Sequence, residues 1–218
     1  RANLSGWGQG RITRDVLNVV GQTLEDLWDH LFLGAGCSLL WLALTLLVLP
    51  APGATLALVD IAQRVHARES PSLGDYWRSV WSHWGLGWRW AAYAVPVVVV
   101  LWVNLRTAPA LFPDMLAVVM QGFAAVALAC WSVVLAYSLP ILFRQEERSV
   151  PQALRNGGVM ALRNPLFTLL LLLIAALFLW VSLLLVVVNL LAGPIFCAFL
   201  ATRAVDSRLD IWRAEQVQ

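Results

Sequence analysis

The chain has no lysine, few charges of either sign and only 3 cysteines in 218 residues, and each shortage excludes something. Charged residues make up 13% of the sequence, whereas a water-soluble domain needs about a quarter to cover its surface. With 60% hydrophobic residues and a mean hydropathy of +0.73, such a chain is insoluble unless lipid is its solvent. The cysteines, Cys37, Cys130 and Cys197, are odd in number and widely spaced. That excludes a disulfide framework and a CxxC metal site, so they read as small apolar packing residues. All 15 basic residues are arginine, which reads as codon usage in a GC-rich genome. Arginine also suits a membrane boundary, because its stem lies along apolar surface while its guanidinium reaches phosphate. A formal net charge of +2, with dispersed basic residues, excludes a nucleic-acid partner.

Motifs for chemistry are missing too. Gly6, Gly8 and Gly10 precede an amphipathic stretch rather than a strand-to-helix turn, so they form no nucleotide-binding loop. There is no HExxH metal motif and no recognisable nucleophile–base pair. His30, His66 and His83 fall at expected interfacial positions, solvated or facing headgroups. Haem or pigment ligation wants a histidine well inside a span, and His30 is the one plausible ligand. The expectation is no enzyme, no cofactor and no metal. The first strongly apolar run begins near Leu31, behind a charged stretch, which is not the layout of a cleavable signal peptide.

What is present is helical and apolar. Residues 1–10 read as a flexible tail. Ile12, Val16, Val19, Val20, Leu24, Leu27, Trp28 and Leu31 then follow helical spacing, with Asp15, Glu25 and Asp29 elsewhere on the wheel. This reads as an interfacial helix. Four long apolar runs follow at about 31–50, 88–105, 115–143 and 165–192, each able to cross a hydrocarbon core of roughly 30 Å. Two shorter runs, at about 52–67 and 194–210, each follow a Pro/Gly break: Pro50-Ala51-Pro52-Gly53 and Gly193-Pro194. Such breaks fit tight helical hairpins.

Arginine placement discriminates between topologies. With only the four long spans, Arg64, Arg68, Arg78, Arg89, Arg144, Arg148, Arg155 and Arg163 share one side, and the remainder the other, an almost even split. If the short runs also cross, every arginine except Arg106 falls on one face. Short cytoplasmic loops carry the basic excess. The expected fold is therefore an all-α polytopic bundle of four long and two short spans, with both termini cytoplasmic in a bacterial inner membrane. The short helices would let Arg64 and Arg203 snorkel to the interface, and a re-entrant hairpin is the fallback. Residues 1–30 then form the tail and interfacial helix, 31–213 the bundle and 214–218 a C-terminal tail. The segment Ser72–Arg78 also resembles Ser149–Arg155, each opening an amphipathic helix, which suggests internal duplication.

Leu49-Pro50-Ala51-Pro52-Gly53-Ala54-Thr55, the Arg64-bearing helix, Ser72–Arg78, Arg148-Ser149 through Asn164-Pro165, and Gly193-Pro194 together resemble the YesL-like family of bacterial membrane proteins of unknown function. The likeness covers roughly residues 30–210. It implies an accessory role in carbohydrate uptake. The 12 tryptophans and the amphipathic N-terminal stretch depart from it.

Among polar residues, Asp60 stands out, because an ionisable group in a membrane segment is a functional candidate by default. Arg64 lies one turn away and can pair with it. Asn104, Gln121 and Asn189 read as interhelical hydrogen-bond glue, and Arg106 and Asp114 flank the external loop. Trp77, Trp81, Trp84, Trp88 and Trp90 read as interface anchors. The expected role is an accessory or scaffold subunit that contacts the bilayer and other membrane subunits or a second copy of itself. The alternative is a small solute transporter working through Asp60 and Arg64.

Overall fold

Apolar runs and amphipathic stretches alike satisfy their backbone groups internally, and the described residues fold into helices without strands. The fold is given by a computed structural model, which describes residues 4–184 and 186–216, and the side chains of 14–181, 192–210 and 212. The helices are α1 (Leu4–Asp29), α2 (Leu31–Leu46), α3 (Ala51–His66), α4 (Leu73–Ser82) and α5 (Trp84–Leu111), followed by α6 (Asp114–Arg144), α7 (Val150–Arg163), α8 (Pro165–Leu184) and α9 (Val186–Gln216).

Their order repeats one unit. An amphipathic helix leads into an apolar helix, which turns back into a third: α1–α2–α3, α4–α5–α6 and α7–α8–α9. The first two helices meet at 89° in the first unit and at 102° in the third. That is the geometry of a helix lying on a bilayer before one that enters it. The returning helices α3, α6 and α9 touch one another, and each amphipathic helix lies against the returning helix of another unit: α4 on α3, α7 on α6, α1 on α9. The core sits where they converge, with Leu56 and Ile61 of α3, Leu142 of α6, and Ile195, Phe196 and Val205 of α9 buried. The two matching segments seen in the sequence cap α4 and α7 at Ser72 and Ser149. Only Ser72 forms a capping box, with Asp75.

Helices α5 and α6, 28 and 31 residues long, are each apolar enough to cross a membrane, and up to four spans result if each bent pair, α1–α2 and α7–α8, counts as one. Large apolar side chains stand outward, among them Phe32 at 91% exposed and Met115 at 86%. Apolar surface on this scale is stable only against lipid or protein. Two hairpins run antiparallel over their length. Trp90 reaches Ser138, Trp131 reaches the Ala94 carbonyl and Gln121 reaches the Leu105 carbonyl across α5–α6. Arg208 covers Phe167, and Phe178 stacks on Phe196, across α8–α9.

The α2–α3 hairpin is placed differently from the other two. A Cβ on Gly87 would lie 2.7 Å from the Pro52 carbonyl carbon and the Gly53 nitrogen, so the start of α3 abuts the start of α5. From Gly87, α5 continues to Leu111, about 36 Å further at 1.5 Å per residue. The other end of α3 meets α6 and α9 through His66, Arg144 and Asp206. The run 52–67 is therefore oblique and stops well short of the face that carries Arg106. Its backbone packs against α4, α9, α5 and α2.

Four boundaries also differ from expectation. The flexible tail read over residues 1–10 is helical from Leu4 onward, because extending a nucleated helix costs far less than starting one. The first apolar run ends at Leu46, where Val48 takes a positive φ of 62° in the turn. Helix α5 begins at Trp84 and extends to Leu111 with Pro96 and Pro109 inside it. Gly193-Pro194 lies within α9 rather than at a hairpin turn. Proline restricts the preceding residue mainly through that residue's Cβ, and Gly193 has none.

Candidate functional site

Asp60 sits on the flank of α3 that meets α4 and is largely buried. Arg64, one turn on, reaches its carboxylate at 3.1 Å. Ser79 of α4 donates its hydroxyl to the same oxygen at 2.8 Å. The contact continues from the Ser79 Oγ to His83 Nδ1 at 3.1 Å, and from His83 Nε2 to the Arg148 guanidinium at 3.2 Å. Arg148 holds a positive φ of 46° in the α6–α7 loop. The chain Arg64–Asp60–Ser79–His83–Arg148 thus ties α3, α4 and the α6–α7 loop together.

Proton placement follows from the donors. A guanidinium only donates, so His83 Nε2 must accept and the ring proton must sit on Nδ1. From there it is directed at the Ser79 carbonyl, 3.0 Å away. Burial holds the His83 imidazole below its ordinary pKa, with Arg148 and Arg64 pushing the same way against the Ser79 carbonyl and Asp60. The imidazole is neutral. Sequence spacing had placed His83 among solvated or headgroup-facing histidines; it is buried, edge-on to Phe143. A serine beside a histidine and an aspartate invites comparison with a hydrolase triad, but the order here is wrong. Nucleophile activation needs an unprotonated imidazole nitrogen at the hydroxyl and a carboxylate on the far nitrogen. Here the nitrogen at Ser79 carries the proton, the hydroxyl is committed to Asp60, and an arginine occupies the far side.

A second cluster was not anticipated. Asp206, buried on α9, meets His66 of α3 at 3.0 Å and the Arg144 guanidinium of α6. Neither contact is an aligned hydrogen bond. One carboxylate thereby joins all three returning helices. Arg203 does not snorkel as expected; it grips Asp26 of α1 through two nitrogens, with N–O distances between 2.7 and 2.9 Å. Arg208 reaches Asp15 at 3.3 Å. Helical spacing set Asp15 off the apolar stripe of α1, and both Asp15 and Asp26 find their partners at the other end of the chain.

Other expected residues fall as follows. Trp77, Trp81 and Trp88 are exposed, with Trp77 edge-on to Trp81 and Trp81 stacked on Trp84. Trp90 departs from that outward group and reaches Ser138 inside the bundle. Gln121 bonds the Leu105 carbonyl, whereas Asn104 is exposed and the Asn189 side chain lies outside the described residues. Arg106 covers the Trp102 ring instead of pairing with Asp114. His30 caps α2 at its bend without a side-chain hydrogen bond. All three cysteines are free.

Four cavities stand out among the described residues, one of them a polar one of about 200 Å³ at Asp15, His66, Arg203 and Asp206. An apolar one of about 450 Å³ lies between the α2–α3 hairpin, α6 and α9, with Leu179 of α8 at its edge. A second of about 200 Å³ continues along the α6–α8 gap and shares Ala136, Cys197 and Ala201 with the first. The only polar groups near the larger one, the Trp41 indole and Thr55 hydroxyl, bond each other at 3.1 Å. The fourth, about 320 Å³ between α6, α7 and α9, is lined by Arg144, Arg163 and Arg208. Asp60 and Arg64 line none of these. A comparison with protein-family models, curated proteins and solved structures finds no match.

Proposed function

We propose that this chain is a non-enzymatic integral membrane subunit of the bacterial cytoplasmic membrane, a scaffold whose α6–α8 gap holds a transmembrane helix of a partner protein. The observation that carries the reading is the unfilled gap. Elsewhere in the bundle an apolar helix packs on the returning helix of another unit, α5 on α3 and α2 on α9. Among the described residues α8 leans on α9 and α1 instead of α6. The gap that remains, floored by α9, presents Ala136, Ala175, Ala201 and Ala204. Small residues let helix backbones approach closely, which is how helices associate where lipid removes the hydrophobic drive.

In this reading α5–α6 and α8–α9 cross, α2–α3 re-enters, and both termini lie on the arginine-rich cytoplasmic side. A YesL-like link to carbohydrate uptake would supply the partner. The partner helix can equally come from a second copy of the chain. Against a transporter acting at Asp60 and Arg64 stands their use as a clasp between α3 and α4, outside the lining of the cavities described above.

The test is purification from native membranes with Ala201→Trp as the paired variant. The scaffold reading expects a stoichiometric partner with the native chain and its loss with the variant, at unchanged thermal stability. Retention of the partner by Ala201→Trp, or solute flux by the chain alone, sinks it.

A further inference from the structure

The cavity between α6, α7 and α9 has a chemistry the scaffold role does not use. Arg144, Arg163 and Arg208 line it with the carboxamides of Gln145, Asn156 and Asn164, and no acidic residue is among its lining. Two of the guanidinia are partly committed outside the cavity, Arg144 to Asp206 and Arg208 to Asp15. Arg163 stacks on the Trp212 ring at 4.6 Å and has no ion pair among the described residues.

The unmet donors are the second observation. Arg208 is 7% exposed, and its Nε has no acceptor. The Gln145 carboxamide is likewise buried with neither its nitrogen nor its oxygen bonded. Buried polar groups are ordinarily satisfied, and an orphaned guanidinium donor in an acid-free pocket asks for an anionic acceptor. The rest of the wall, including Val159, Met160 and Leu209, is apolar. Charge at one side and hydrocarbon at the other match an amphiphile.

We infer that this cavity binds a phosphate-bearing anion, and that its source is the headgroup of an anionic phospholipid whose chains follow the apolar wall. A phosphate diester offers two charged oxygens to the guanidinia, and arginine forks suit that geometry. The inference stands independently of the partner helix, since the two cavities are lined by successive segments of α9 and share no residue.

The experiment uses the full chain in neutral detergent, with thermal unfolding and binding followed as lipid is added. Phosphatidylglycerol should raise the melting temperature and phosphatidylcholine should not. Glycerol 3-phosphate and inorganic phosphate form the second arm. A shift with phosphatidylglycerol alone assigns the lipid; an equal shift with glycerol 3-phosphate assigns the same chemistry to a soluble phosphate. Arg163→Gln, at an exposed position, should fold normally and bind about tenfold more weakly, the effect of losing one charge-assisted hydrogen bond. Asn156→Asp, which adds a negative charge to the lining, should weaken binding similarly, while Arg78→Gln on distant α4 should leave it unchanged. No shift with any phosphate compound overturns the inference, as does wild-type binding by both Arg163→Gln and Asn156→Asp.

Discussion

Two glycines, chemically the same and both on long apolar helices, should respond to alanine with opposite signs. At Gly87 the new methyl would meet the Pro52 carbonyl carbon and Gly53 nitrogen at 2.7 Å and the Pro52 oxygen at 2.9 Å. All three are backbone atoms, so no rotamer change relieves the overlap, and α5 must move away from α3 by more than half an ångström. Overpacking of this kind costs up to about 3 kcal/mol, and the better helix propensity of alanine returns about 1, leaving a net loss of about 2 kcal/mol. For a chain of this size that is a fall of roughly 4–8 °C in melting temperature. At Gly122, midway along α6, a methyl meets nothing within 4 Å, so the propensity gain of about 1 kcal/mol stands alone. Tryptophan fluorescence during thermal unfolding in detergent measures both. A Gly87→Ala protein as stable as the native chain would refute the close α3–α5 contact, and with it the argument that α3 is re-entrant.

Three further predictions follow from the polar clusters and the topology. Arg64→Ala should cost about 1–2 kcal/mol, less than the 3–5 of a fully buried pair because Arg64 is 41% exposed and Ser79 still donates to Asp60, while Asp60→Asn should cost under about 1; lost solute flux with full stability in Asp60→Asn would instead support a transport site. Because His83 has a lowered pKa in the fold, the unfolded chain takes up its proton first as pH falls, so stability should decline as pH drops below the unfolded value near 6.5, and His83→Gln should flatten that decline in a melting-temperature series from pH 7.5 to about 5. In a cysteine-free background, Asp114→Cys should react with an impermeant thiol reagent applied outside cells, whereas Ser70→Cys, Glu146→Cys and Leu47→Cys should not; labelling at Leu47 would restore six crossings.

Helix content and position were largely legible from the sequence, because hydrophobic periodicity is a local property. The runs at 88–105 and 115–143 correspond to α5 and α6, and the serine-led amphipathic segments to α4 and α7. Depth was not legible. The run 52–67 has the composition of a short span, and nothing in that composition foretells that its first turn abuts Gly87 at the start of α5. The candidate site divides in the same way. Asp60 and Arg64 are neighbours on one helix, so spacing alone pairs them. Asp206 lies three residues from Arg203 and offered the same local pairing, yet it joins His66 and Arg144 while Arg203 turns to Asp26. An intrahelical pair and a tertiary one compete at similar energies, and the choice belongs to packing that one helix does not encode. His83 was misplaced for a related reason: it ends a short helix, where solvation is the ordinary expectation, and its burial is set by Phe143 and Arg148 from the α6 end.

The polar layer also explains how a chain so short of charge holds its helices in one arrangement. Apolar packing in lipid distinguishes poorly between neighbouring helices, since every apolar face is satisfied by acyl chains as well as by protein. A buried carboxylate is not, because each unmet charge carries a desolvation penalty that only a particular partner relieves. Asp206 requires the ends of α3 and α6 to meet α9, Asp26 and Asp15 require α1 to lie along α9, and Asp60 requires α4 on α3. Each of these contacts crosses from one amphipathic-helix-and-hairpin unit to another. Charges therefore specify how the units assemble, while apolar residues specify each hairpin. The contact between α6 and α8 has no such pairing, only the neutral Tyr137–Thr168 contact at 3.3 Å. In the scaffold reading it is therefore where a helix from another chain enters, since no ion pair among the described residues has to break.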